Sequence, residues 1–309
     1  MEQLDPVRDH AEIIRLSISF YLSPMAVDWV FALSMPRFNI GPSGAAIFRG
    51  GKGKLLMNSD RRYDDTDDHF LVWIEYGPDS PQVKRSLDII NALHAKWSKE
   101  YPAEFDDLDL WLYVLAWEIC GTSSIFTEYL GLPEPSEKEK IAKVVFGKKL
   151  AELFVYVDGR PLSEVIPASL ETYEDWVAYL HEYESRPWEY NAESAACLAQ
   201  VVETFEKRFP MPLPRSFVRA LATSFWHDGM FGCCDIERPG RLMSWAARMF
   251  MRVGILMGRI LPDPKESLTE KLRRESAETG KPLRAVLKAT QVPSPSQGST
   301  ARCPMGFGG

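Results

Sequence analysis

Of the five histidines in the chain, one stands where a helix should carry a core hydrophobe. Val83, Leu87, Ile90, His94 and Trp97 recur at spacings of four, three, four and three, which places them on one face of a helix over Ser80 to Lys99. Asn91 lies one turn before His94 on the same side. An imidazole turned into an apolar interior takes a hydrogen-bond partner, a metal or a haem iron, because burying it unpaired costs about 1–3 kcal/mol. A second polar set, Arg62, Thr66, His69 and Trp73, shares one face of the preceding segment. A histidine giving one axial bond to haem iron, with an arginine and a hydroxyl on the other side, is one chemistry these residues allow. A core histidine bonded to a carbonyl, beside a solvated helix edge, is another. His69 and His94 with an aspartate around a non-haem metal is a third.

Other chemistries lack their residues. The positions three before the histidines are Val7, Thr66, Asn91, Ala178 and Ser224, so no Glu-x-x-His pair for a di-metal helical bundle occurs. There is no His-Glu-x-x-His zinc signature and no Gly-x-Ser-x-Gly nucleophile elbow. His181 and His227 each follow an apolar helical run, and a helix end, where a cationic imidazole suits the dipole, is the expected place for both.

The elements that must carry these residues read as helices throughout. Ser80 is an N-cap with Pro81 at the first helical position, and Ser59 or Asp60 starts the Arg62 segment, which ends at Gly77. Upstream, a helical pattern from Asp9 to Ser34 breaks at Ser23-Pro24, and the glycine-rich piece from Pro36 to Lys54 predicts turns or a small ribbon without a phosphate-loop pattern. Downstream, Asp106 is the expected cap of an apolar helix from Leu108. Ser136 and Glu139 form a capping-box pattern for a helix to about Tyr156. Further helices fit Ser169 to Glu184, Ala192 to Arg208, Pro214 to Phe225 and Gly240 to Leu261. The prediction is an all-α fold, a single large helical domain over residues 1–261 built around a buried haem or ligand site. An exposed helix or extension over 262–290 and a disordered tail over 291–309, which holds Cys303, follow.

A net charge of −7 argues against a nucleic-acid partner, which would demand a concentrated basic face. Five cysteines without Cys-x-x-Cys spacing indicate neither a disulfide framework nor a zinc ribbon, and no signal peptide is legible, so the expected location is the cytoplasm. No transmembrane segment is expected. Asp109 and Glu118 interrupt the apolar run from Leu108 to Phe126. Arg248, Arg252 and Arg259 make Leu242 to Leu261 an amphipathic core helix with a basic edge, for which contact with a membrane surface or a ligand's carboxylates is the alternative.

Several short motifs occur in a fixed order: Arg62-Tyr-Asp-Asp-Thr66, Gly77-Pro-Asp-Ser-Pro, Asn91-Ala-Leu-His94, Asp107-Leu-Asp-Leu-Trp-Leu-Tyr-Val-Leu, Glu128-Tyr-Leu-Gly-Leu-Pro, Asp158-Gly-Arg-Pro, Ile166-Pro-Ala-Ser and Tyr173. In these the chain resembles the family that includes the fungal mycophenolic-acid oxygenase and the bacterial latex-clearing rubber oxygenase. The resemblance runs from about Leu16 to Leu261. It implies an all-α fold, a b-type haem and oxidative cleavage of a carbon–carbon double bond in an isoprenoid chain. By position it implies His94 as the proximal iron ligand, and Arg62 and Thr66 as catalytic groups on the distal side near dioxygen or the haem edge. Asn91 and Trp73 would join Arg62 and His94 around the cofactor. The rubber oxygenase has a lysine where this chain has Asp65 and an arginine where it has Asn91, departures shared with the fungal branch. No counterpart of the fungal enzyme's N-terminal anchor is read here.

The leading expectation is a haem b-dependent oxygenase acting with dioxygen on an apolar small molecule, isoprenoid or polyketide-derived, in a channel lined by Trp73, Trp111 and Phe126. The alternative is a haem-free helical protein that binds a hydrophobic ligand or assists a biosynthetic pathway.

Overall fold

Hydroxyl and carboxylate caps set the helix starts. Ser23 Oγ accepts from Ala26 N and Ser80 Oγ from Val83 N. Reciprocal capping boxes open the helices Glu137–Ala151, Tyr173–Glu184 and Leu268–Thr279 through Ser136/Glu139, Thr172/Asp175 and Ser267/Glu270. The computed structural model describes residues 3–260 and 264–291. Among these the chain is all-α. Its sole extended pairing is one antiparallel bridge, Val155 to Pro161, across the Asp158-Gly159 turn, where φ of Gly159 is 90°.

The Arg62 helix spans Ser59–Tyr76 and is capped by Asn58, one residue earlier than expected, while the His94 helix spans Pro81–Glu100. Between them φ of 69° at Gly77 makes the turn that lets the two pack side by side. The first helical pattern divides into His10–Ile18 and Pro24–Phe38, bent by 111°. The glycine-rich piece is no ribbon. It folds into short helical turns, because Gly44 must lie against the Phe38 carbonyl, a contact no side chain would fit. The apolar helix starts after Asp107, not Asp106, and runs Leu108–Ala116, then a π-helical turn Trp117–Gly121, then Thr122–Leu130.

That π turn depends on Gly121. A Cβ there would lie 2.4 Å from the Trp117 indole, over which the Arg37 guanidinium also sits at 4.9 Å. Gly121→Ala should therefore lower stability by about 1–3 kcal/mol, the usual cost of overpacking, read as a shifted urea midpoint at unchanged m-value.

One large apolar cluster joins residues from Trp29 to Met251, and Trp29 Nε1 donates to Leu221 O at 2.7 Å within it. A second cluster joins Ile14, Val72, Val83, Leu87 and Leu150 with Leu287. The segment after residue 263 is therefore no exposed extension. Its helices Leu268–Thr279 and Ala285–Ala289 pack on the Arg62 helix, and Leu287 is fully buried, so the chain forms a single domain. The expected boundary at 261–262, the tail with Cys303 and the Arg259 side chain lie outside the described residues. By length and composition Leu108–Leu130 is apolar enough to cross a membrane, as is the bent pair His10–Phe38 if taken together. Just over half of the Leu108–Leu130 window is buried in the domain, the pattern of a core helix, and no clear transmembrane segment emerges.

Candidate functional site

The helices line a cavity of 2140 Å³ that opens to solvent. A typical small-molecule pocket holds about 300–1,000 Å³. Its walls come chiefly from the helix Pro24–Phe38, the Arg62 and His94 helices, the broken helix Leu108–Leu130, and the helices Glu137–Ala151 and Arg241–Ile260. Trp73, Trp111 and Phe126, expected to line a channel, all face it.

His94 lines this cavity inside an aromatic frame. Trp111 stands edge-on at 5.1 Å between ring centroids, Phe105 edge-on at 5.9 Å, and Phe154 stacks at 6.5 Å. Nδ1 is sealed from solvent without a hydrogen-bond partner, and no described residue bonds to Nε2, so a core histidine satisfied by a carbonyl is not what the structure contains. Burial, reinforced by the Arg62 charge, pushes the imidazole down to about 4. At neutral pH it is a neutral ring with a free lone pair, the state that ligates a metal.

Arg62 faces the same cavity. Its Nη1 donates to Thr66 Oγ1, whose own proton goes to the Arg62 carbonyl at 2.9 Å, and Nη2 lies 3.9 Å from Met35 Sδ. No carboxylate among the described residues forms an ion pair with it, and burial draws its guanidinium below the usual value. Thr66 therefore positions Arg62, while the nearby Asp65 is paired with Lys54.

The other predicted residues have partners already. Trp73 turns its ring to the cavity and to Phe154, but its N–H donates to Ser86 Oγ at 2.8 Å. Ser86 Oγ also lies 2.7 Å from Nδ1 of His69, which burial pushes down to about 4. Asn91 does not line the cavity. Its amide donates to Leu153 O at 2.9 Å and accepts from Val155 N at 3.1 Å, anchoring the turn that carries Phe154 against His94. Among the described residues no three His, Cys, Asp or Glu side chains gather as a metal set.

His181 sits in the last helical turn as expected and pairs with Glu128 at 3.0 Å. His227 does not behave so. It occupies the N-cap of the short helix Asp228–Gly232, where a cation would oppose the dipole, and burial pushes it down to about 4.

Two cavity residues escape the sequence reading. Glu118, on the π turn, stands out in the sequence only as a charge that disfavours a membrane span. Lys143 is one of many lysines in its helix, yet it shares a face with the buried Phe146, Gly147 and Leu150, and that spacing was the available signal. The chain matches no protein-family model and no curated protein.

Proposed function

We propose that the chain binds haem b through His94 and uses dioxygen to oxidise or cleave an apolar small molecule of isoprenoid or polyketide-derived type. The observation that carries this reading is a neutral, half-buried imidazole without a protein hydrogen-bond partner, opening on a large cavity beside an arginine that has no ion pair. These residues fit the group. His94 would hold the iron, and the cavity exceeds ordinary pockets enough to admit a cofactor and a substrate together. When bound, haem supplies the one-electron and dioxygen chemistry that protein side chains lack. Arg62 contributes a fixed cation for a haem propionate or a polar oxygen of the reactants, and Thr66 holds its guanidinium in place. The aromatic frame of Phe105, Trp111 and Phe154 packs around the His94 ring and would hold it in place.

The rival reading is a haem-free helical protein that holds a hydrophobic ligand, or assists a biosynthetic pathway, and the apolar lining favours it. An absorption spectrum with a pyridine haemochrome assay separates the two. The purified native protein should carry haem b stoichiometrically, and His94→Ala, still helical by circular dichroism, should lose it. A native protein that remains colourless when haem is supplied would refute the oxygenase reading.

A further inference from the structure

The cavity carries a second polar station. Where the π turn meets the Glu137–Ala151 helix the backbones approach closely, since a Cβ on Gly147 would lie 2.3 Å from Ile119 Cγ1. Glu118 precedes Ile119, Lys143 lies one turn before Gly147 on the same face, and both open into the cavity. Among the described residues neither has a hydrogen bond or an ion pair, with each other or with any third group. The neighbouring Glu139 is committed to Ser17 and to its capping box with Ser136, and Cys120 bonds to Ala116 O. Both side chains are half-buried on the cavity wall and feel each other's charge, yet their polar ends make no hydrogen bond with the protein, so they are free to receive a ligand group that reaches them.

We propose that Lys143 and Glu118 grip the terminal carboxylate of a long apolar ligand whose tail runs along the cavity wall toward His94. Lys143 offers three N–H donors and one positive charge to a monoanion. Burial holds Glu118 up to about 7 and Lys143 below its usual value, so near neutrality Glu118 donates an O–H to the second carboxylate oxygen. A phosphate dianion would bring a second negative charge against Glu118 with no second cation to balance it. Trp111, which touches His94, lies seven residues before Glu118, about 10 Å along the helix at 1.5 Å per residue. The apolar Val114 and Leu115 line the cavity between them. The pair thus sets which part of a chain reaches His94, and the inference stands on the cavity whether or not haem is bound.

The test is displacement of a fluorescent acid, 11-(dansylamino)undecanoic acid, from the full-length protein by dodecanoate and by dodecanol. Native protein should prefer the acid, Lys143→Met should lose that preference by about tenfold or more while dodecanol is unchanged, and Lys143→Arg should recover part of it. Glu118→Gln keeps the donor without the titration. Native affinity for the acid should therefore fall as pH rises through about 7, while the Gln variant stays level. That arm stands if Lys143→Met does not fold. An unchanged acid preference in Lys143→Met, a preference lost in Arg62→Met instead, or a Gln variant with the native pH profile overturns the proposal. Haem content plays no part in any of these readings, so their failure is separable from failure of the oxygenase reading.

Discussion

Arg37→Met should cost about 3–5 kcal/mol of unfolding free energy, the penalty for leaving one partner of a buried ion pair alone. Arg37 has no accessible side-chain surface. Its Nε binds Glu184 Oε1 at 3.0 Å, Nη1 donates to Leu33 O at 2.8 Å, Nη2 donates to Phe225 O, and the guanidinium lies 4.9 Å over the Trp117 ring. Burial alone would raise the Glu184 carboxyl. Arg37, His227 and the Tyr113 hydroxyl, which donates to it at 2.7 Å, instead hold it below the ordinary value. Removing Arg37 strands that carboxylate and two carbonyls together. Since a domain holds only about 5–15 kcal/mol in total, the variant should unfold at markedly lower urea. The double variant Arg37→Met with Glu184→Gln should recover part of the loss, because its stranded group is neutral. A single variant as stable as the native protein would contradict this account.

The second large effect depends on pH. Arg284, just before the last described helix, reaches the fully buried Asp68 at 2.6 Å and Asp64 at 3.3 Å. Burial raises Asp68 to about 7 even with Arg284 pulling it down. An unfolded aspartate titrates near 3.8, so between these values the folded chain holds the extra proton. The contribution of Asp68 to stability is therefore present at low pH and lost as pH rises from about 4 through about 7. Arg284→Ala should cost about 3–5 kcal/mol at pH 8, where Asp68 would be a buried charge without its partner, and only a small fraction of that at pH 5. His69, His94 and His227, each pushed down to about 4, lose stability in the opposite sense as acid is added. They titrate alike in both proteins, so the native-minus-variant difference in urea midpoints reports the buried carboxylates that Arg284 faces, Asp68 in contact and Asp67 beyond it. An equal cost at both pH values would exclude a protonated Asp68.

Much of the fold was legible because its signals are local. Ser80 with Pro81, and Ser136 with Glu139, announce their helices through a hydroxyl and a backbone N–H three residues apart, which needs no tertiary knowledge. His94 was visible for the same reason, as a polar residue on an apolar period. What stayed hidden depends on distant partners. Nothing local in the sequence marks Arg37 as a core residue, because the partner that makes it one, Glu184, is 147 positions away. Asn91 reads as a site residue by its turn beside His94, yet it belongs to the 153–155 turn. The π turn has no composition signal, since its extra residue is accommodated by how Gly121 meets Trp117. The segment after residue 263 looked exposed because its charges are frequent, and their partners on the Arg62 helix are some 200 positions upstream.

The cavity also bears on how freely this protein can change. In a filled core, trimming a side chain loses its burial and leaves a hole as well, and the hole supplies much of the cost. A residue on the wall of a cavity of 2140 Å³ packs against protein on one side only, so trimming it widens an existing volume and opens no new one. Wall positions such as Val114, Leu115 and Met249 are therefore the least constrained of the interior, whereas Trp176 and Leu33, packed on every side, are held to their shapes. Ligand preference in such a scaffold can drift by ordinary substitution without threatening the fold that carries it.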